Sequence, residues 1–296
     1  MIYLILAGIC FGGIGIFVKG IGNNISTLLI VAIRLLSTAG LVLAYETTRG
    51  KLKKLRLTSN REAVIAVAGG LVGFALTFSL YLKSLVIIPV SKAVFLHYVA
   101  FPFSTILYSA VVLKERLTKY EILSLVGAII GVFLIYNVAF STDSASILGY
   151  TMAFLSGVTY SAVLLVLKNF GRTRTTLQTL FWPALFGGVG LVPVVFIEGV
   201  KFNLDGGAFY NLLGLVLVST LAGYALFARG LMDTRAGLSS IVLITVEPLT
   251  AVVLAIVFLN EQVSTYTVAG GTLIVVSGVF AYLAKIRADR RQGQET

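Results

Sequence analysis

The chain has 296 residues, 58% apolar and 12% charged, with a mean hydropathy of +0.99 and a formal net charge of +11. Soluble domains carry about 25% charged residues, so half of the usual solvated surface is missing and must face lipid. One cysteine, Cys10, and one histidine, His97, exclude an internal disulfide, a zinc site rich in either residue, and any catalytic constellation needing two histidines.

Apolar runs of about 20 residues, the length that crosses a hydrocarbon core, recur along the chain. They predict an all-α polytopic membrane protein with ten spans: Ile2 to Lys19, Thr27 to Glu46, Glu62 to Leu82, Val90 to Leu113, Lys119 to Val138, Ile147 to Leu167, Thr176 to Ile197, Phe209 to Arg229, Ala236 to Leu259 and Ser264 to Lys285. The opening MIYLILAGICFGG lacks a positive flank and has Ile9 before Cys10, so it reads as the first span rather than a cleaved signal. Between spans stand turn-forming groups such as Gly22-Asn23-Asn24, Ser141-Thr142-Asp143 and Asp205-Gly206-Gly207.

Basic residues near span ends are retained on the cytoplasmic side. One side collects 18 of them, from Arg49 through Arg291, and the other only Lys19, Lys83 and Lys201. Both termini are therefore expected in the cytoplasm of a cell-membrane protein. The basic loops report topology, and nucleic acid is not expected as a partner.

A shift of 146 residues lays LKERLTKYE from Leu113 over LNEQVSTYT from Leu259, Pro102 over Pro248 and Lys83 over Arg229. At the start a shift of 149 lays Gly8 over Gly157, Phe11 over Tyr160 and Lys19 over Lys168. The repeat unit is five spans, residues 1–140 and then 141–296 with a short basic cytoplasmic tail. An odd number of spans makes the copies enter the membrane from opposite sides, the inverted arrangement that supports alternating access around a central site.

Two five-helix halves, the spans FSLYLKSLVIIPVSKAVFLHYVAFPF and YALFARGLMDTRAGLSSIVLITVEPL, and the ERLT and EQVS elements together resemble the drug/metabolite transporter superfamily, within it the ten-helix EamA-type exporters. The resemblance implies a carrier for small metabolites, often amino acids or related compounds, with the substrate cavity between the halves and helices 5 and 10 peripheral. Lys114-Glu115 and Asn260-Glu261 stand where that family commonly has Gly-Glu.

Of twelve acidic residues, Glu247 alone falls in the middle of a predicted span, within about 1 Å of its centre. An ionised group there is costly to insert, by about 2.5–3.5 kcal/mol, so it must face protein or water. It reads as a proton or substrate-amine site, or as a packing carboxyl. His97 lies roughly 7 Å toward the outer face in helix 4 and shares a stripe with Phe101, Ser104 and Tyr108. The repeat maps that stripe onto Leu243, Glu247, Thr250 and Leu254, so both stripes are expected to line one cavity. Arg34, about 4 Å from the middle of helix 2, reads as a fork for a substrate carboxylate or as the partner of Glu247, and its repeat counterpart lies near Trp182. Lys92 near the outer end of helix 4 is a candidate gate. Phe74, Phe78 and Tyr81 form a stripe that maps in part onto Tyr224 and Phe227, reading either as packing or as aromatic cavity walls. The pairs Gly8-Gly12, Gly69-Gly73 and Gly127-Gly131 suit close helix packing.

Together these residues predict a secondary transporter, an exporter of small organic solutes with protons as a candidate coupling partner, working in the bilayer as a monomer or weak homodimer. No metal and no cofactor is expected, and no nucleotide-binding GxxxxGK[ST] motif occurs. A channel is the main alternative. An intramembrane enzyme is a weaker one, for want of an HExxH motif or paired midplane carboxylates.

Overall fold

The computed structural model describes residues 2–111, 119–137, 144–170, 174–233 and 236–292, with stretches such as 105–111 and 236–244 in backbone only. Helices α1 (Ile2–Gly12) and α2 (Ile14–Ile21) form one rod with a step at Gly13, followed by α3 (Thr27–Thr48) and a short tight turn at Leu52–Leu55. Helix α4 (Asn60–Ala68) widens into a π-helical segment (Gly69–Leu76) and continues as α5 (Thr77–Ile87). Then come α6 (Val90–Val111), α7 (Lys119–Asn137), α8 (Ser144–Phe170) and α9 (Thr176–Glu198). Helix α10 (Gly206–Gly214), a second π-helical segment (Leu215–Ala222), α11 (Gly223–Asp233), α12 (Ala236–Leu259) and α13 (Thr265–Gln292) complete the chain.

Among the described residues six helices are long and apolar enough to cross a membrane. Large apolar side chains such as Phe133, Phe196 and Ile197 point outward, a belt that suits hydrocarbon and not water. Helix starts follow cap chemistry. The Ser59 and Thr175 hydroxyls accept from the amides of Glu62 (3.2 Å) and Gln178 (3.4 Å), whose side chains accept in return from Thr58 (2.9 Å) and Thr175 (3.0 Å). Asp205 accepts from the Ala208 amide at 2.6 Å.

The predicted third and eighth spans are not plain α-helices. Each carries an eight-residue π segment, and every boundary of α4, the first segment and α5 recurs 146 residues later in α10, the second segment and α11. A threonine hydroxyl serves a widened carbonyl in both. Thr77 donates to the Val72 carbonyl at 3.3 Å and Thr220 to the Leu215 carbonyl at 2.9 Å. Such widenings are frequent at functional sites because they re-aim side chains without breaking the helix.

Packing runs across the two halves of the chain. Helix α8 lies on α5 and α6, α1 lies on α11 and α12, α3 pairs with α9, and α7 with α13. Small residues permit the closest crossings. Gly8 and Gly12 face Val246 and Thr250 of α12, beside Glu247, and a Cβ on Gly157 of α8 would lie 2.1 Å from the His97 carbonyl oxygen of α6.

Polar ties close both ends of the bundle. At one end the 22–26 and 199–205 turns exchange backbone hydrogen bonds, Ser26 donating to Lys201 and Asn203 to Asn24, each at 2.9 Å, and Lys83 pairs with Glu198 at 2.8 Å. At the other, Arg174 donates to Glu62 at 3.0 Å and Gln178 to Glu46 at 3.0 Å.

The α6–α8 crossing generates a prediction. Gly157→Ala inserts a methyl where the His97 carbonyl stands, and overpacking of this kind costs about 1–3 kcal/mol. The thermal unfolding midpoint of the purified protein in detergent should fall. An unchanged midpoint would mean that the two helices do not approach this closely.

Candidate functional site

Arg34 projects from α3 and is 2% exposed, one of the largest fully buried side chains among the described residues. Its Nε donates to the Thr220 hydroxyl of the second π segment at 2.8 Å. Its guanidinium lies over the Phe78 ring of α5, 4.9 Å from the centroid. The repeat shift sets Phe74 on Thr220 and Phe78 on Tyr224, so the arginine is held by symmetry-equivalent stretches of the two widened helices. Glu247 sits half-buried at the middle of α12, with the Tyr98 hydroxyl of α6 facing its carboxyl.

Each of the two thus meets a hydroxyl from the other half of the chain. Arg34 and Glu247 act on each other electrostatically, and among the described residues they form no direct ion pair. Arg34 is fully buried, and taking an ion out of water costs several kcal/mol, more than its one hydrogen bond offsets. Tyr81, Tyr160 and Tyr224 are also within electrostatic reach of both.

His97 enters the same cluster through its neighbours. Its ring lies 4.7 Å from that of Tyr81 and 5.3 Å from those of Tyr98 and Tyr160. Its Nδ1 is 2.7 Å from the Ser156 hydroxyl, which spends its single hydrogen on the Ala153 carbonyl at 2.6 Å. Nδ1 therefore carries the proton and donates, leaving Nε2 as an acceptor. Tyr224 packs edge-on against Phe11 of α1, with ring centroids 5.0 Å apart.

Other expected site residues fall elsewhere. Ser104 hydrogen-bonds with Ser161 at 2.7 Å on the α6–α8 seam. Thr250 packs its methyl side onto Gly12. Trp182 is drawn away from the cluster, because its indole donates to the Leu55 carbonyl at 2.5 Å and its ring stacks on Phe186 at 5.5 Å. Lys92 reaches the Tyr150 hydroxyl at 3.3 Å. The Tyr108 side chain and the Lys114-Glu115 element lie outside the described residues.

Thr220, Tyr98 and Ser156 are the residues that sequence reading missed. Thr220 was within reach, since the repeat places it on Phe74 of the aromatic stripe. Tyr98 is next to His97 in sequence but turned about 100° around the helix, off the stripe that carried the expectation.

Glu261, beyond the end of α12, caps a different helix. Its carboxylate accepts from the amides of Val90 (2.8 Å) and Ser91 (3.1 Å) and from the Ser91 hydroxyl, at the positive end of α6. The helix carrying Glu247 is thereby tied to the helix carrying Tyr98 and His97.

The EamA-like transporter family matches the chain twice, over residues 1–137 and 147–283. An uncharacterized transporter of Clostridium kluyveri is 25% identical over 250 residues, 81% of this chain and 78% of that one. An uncharacterized inner membrane transporter of Salmonella typhimurium is 25% identical over 291 residues, covering 94% and 93%. A crystal structure at 17% identity superposes with a TM-score of 0.67 over 97% of both chains, a likeness of fold alone.

Removing the cap tests the tie between α12 and α6. Glu261→Ala leaves the first amides of α6 unsatisfied and should destabilise the protein by about 1–2 kcal/mol, read as a lower thermal midpoint. Full retention of stability would show that solvent satisfies these amides equally well.

Proposed function

We propose that this chain, which belongs to the EamA-like transporter family, is a secondary carrier that exports a small organic metabolite, such as an amino acid or a related compound, by alternating access around Arg34 and Glu247. That it is a multi-pass membrane transporter, and not an enzyme, follows from the family and from the apolar helices. The observation that carries the finer reading is the pair of opposite charges at mid-bundle. Arg34 is buried and Glu247 half-buried, each faces a hydroxyl from the other half, and the two are not joined to each other.

Ten spans arranged as two inverted five-span repeats are supported by the double family match at a spacing of 146 residues and by the recurring helix boundaries. The basic residues favour a cytoplasmic location for both termini, with the Lys83–Glu198 end outside. Because α1 packs on α11 and α12 while α8 packs on α5 and α6, opening parts these two groups of helices around the charged centre. Glu247 then takes a proton or the amine of the solute.

Reconstituted into proteoliposomes, wild-type protein should support saturable counterflow of a member of a panel of amino acids, amines and sugars, and Glu247→Gln should bring proton-coupled flux down to that of empty liposomes while the unfolding midpoint holds. Unchanged, still proton-dependent flux in Glu247→Gln would overturn the role of the carboxylate. An ohmic single-channel current would replace the carrier with a channel.

A further inference from the structure

We infer that the turn between α3 and α4 is a binding surface for anionic phospholipid headgroups, with Lys51, Lys53, Lys54 and Arg56 as the cations that meet the phosphates. Orienting a membrane protein needs only the number of basic residues on one side. This turn has more than number, because its backbone is clamped from within and its cations are all left outward.

Helix α3 stops at Gly50, whose φ of 64° is left-handed. The Gly50 amide donates to the Thr47 carbonyl at 3.0 Å and the Lys51 amide to the Glu46 carbonyl at 2.9 Å, the paired bonds of a Schellman stop. The carbonyls that follow are held by the second half of the chain. Arg174, just before α9, donates from Nε to the Lys54 carbonyl at 3.2 Å and from Nη2 to the Arg56 carbonyl at 2.8 Å. Between them the Trp182 indole donates to the Leu55 carbonyl, and the Leu55 side chain is buried. A turn gripped at three successive carbonyls displays its side chains in a fixed array.

The outer side of that array is all positive. Arg49, Lys51, Lys53, Lys54, Arg56 and Arg61 are exposed, and residues 49–61 contain no acid. The acids on either flank are engaged elsewhere, Glu62 with Arg174 at 3.0 Å and the buried Glu46 with Gln178 at 3.0 Å. Among the described residues none of the six cations forms an ion pair. Like charges fixed this close repel one another, and an anion placed among them relieves the repulsion.

Depth selects the kind of anion. Leu41, Leu43 and Tyr45 of α3 and Val64 and Val67 of α4 are exposed apolar side chains on the helices that flank the turn. The belt ends at Tyr45, an interfacial residue type, and one turn later Arg49 lies over its ring and donates to its hydroxyl at 2.8 Å. Lipids whose chains lie on this belt bring their phosphates level with the turn. Leu52, 45% exposed among the lysines, suits the boundary between headgroups and acyl chains and not a soluble polyanion. Basic clusters next to a span attract anionic lipid in this way.

The purified full chain in neutral detergent tests this, with dioleoylphosphatidylglycerol, dioleoylphosphatidylcholine or glycerol 3-phosphate added. Phosphatidylglycerol should raise the thermal midpoint and bind at least ~10-fold more tightly than phosphatidylcholine. Its lead should shrink as salt rises from about 0.1 M to about 1 M, which shortens the screening length from about 10 Å to about 3 Å. The triple change Lys51→Gln, Lys53→Gln and Lys54→Gln should weaken phosphatidylglycerol binding by ~10-fold or more, at about fivefold per lysine. The matching change in the tail, Arg287→Gln, Arg290→Gln and Arg291→Gln, should leave it in place. Glycerol 3-phosphate, which has the phosphate without the chains, should not compete. Equal binding of the two lipids, phosphatidylglycerol binding untouched by the lysine changes or lost equally in the tail variant, or competition by glycerol 3-phosphate would overturn the assignment. The wild-type lipid and salt comparisons decide it even if the lysine variant does not fold.

Discussion

A buried guanidinium and a half-buried carboxyl at the centre of a helical bundle, close enough to act on each other and yet not paired, are the constraint to which the surrounding structure answers. In a low-dielectric interior each charge needs polar partners, and here each takes one from the opposite half: Arg34 from Thr220, Glu247 from Tyr98. These contacts add to the apolar packing that holds the halves together. A movement that parts the helices at one end must exchange these partners for others, and that gives a polar centre its hold over which conformation is populated.

The helices around the centre are shaped to present it. Two π segments, in equivalent places of the chain, widen the helices that supply Phe78 and Thr220 to Arg34. Glycines let α1 lie against α12 beside Glu247 and α8 against α6 beside His97. A β-carbon at these crossings would run into Val246, Thr250 or the His97 carbonyl oxygen and push the helices apart. Glu261 adds a tie of another kind, satisfying the first turn of α6 from the far end of α12.

Arg34, His97 and Glu247 were legible as places to look because an ionisable side chain inside an apolar run is expensive and therefore rare. Their partners were not legible to the same degree. Tyr98, Ser156 and Thr220 are ordinary residues in an apolar helix until a neighbour is brought within reach, and neighbour relations between helices are not written in spacing along one of them. Trp182 shows the opposite error. A counterpart position in the repeat suggested the centre, but its indole N–H finds the Leu55 carbonyl instead, since a buried donor goes to the nearest acceptor and not to the symmetric one.

Composition and the length of the apolar runs determined by themselves that this chain is a helical membrane protein and which few charges lie where lipid should be, and residue matches at a shift of 146 that its second half repeats its first. These follow from local physics, because the length of an apolar run and the cost of a buried ion do not depend on what packs beside them. Tertiary structure decided which groups answer those charges, the widening of two helices into π segments, and the separation of Arg34 from Glu247 that leaves one donor edge unclaimed. Such features arise from contacts between residues more than a hundred positions apart, where distance and direction are set by helix crossings and not by any segment alone.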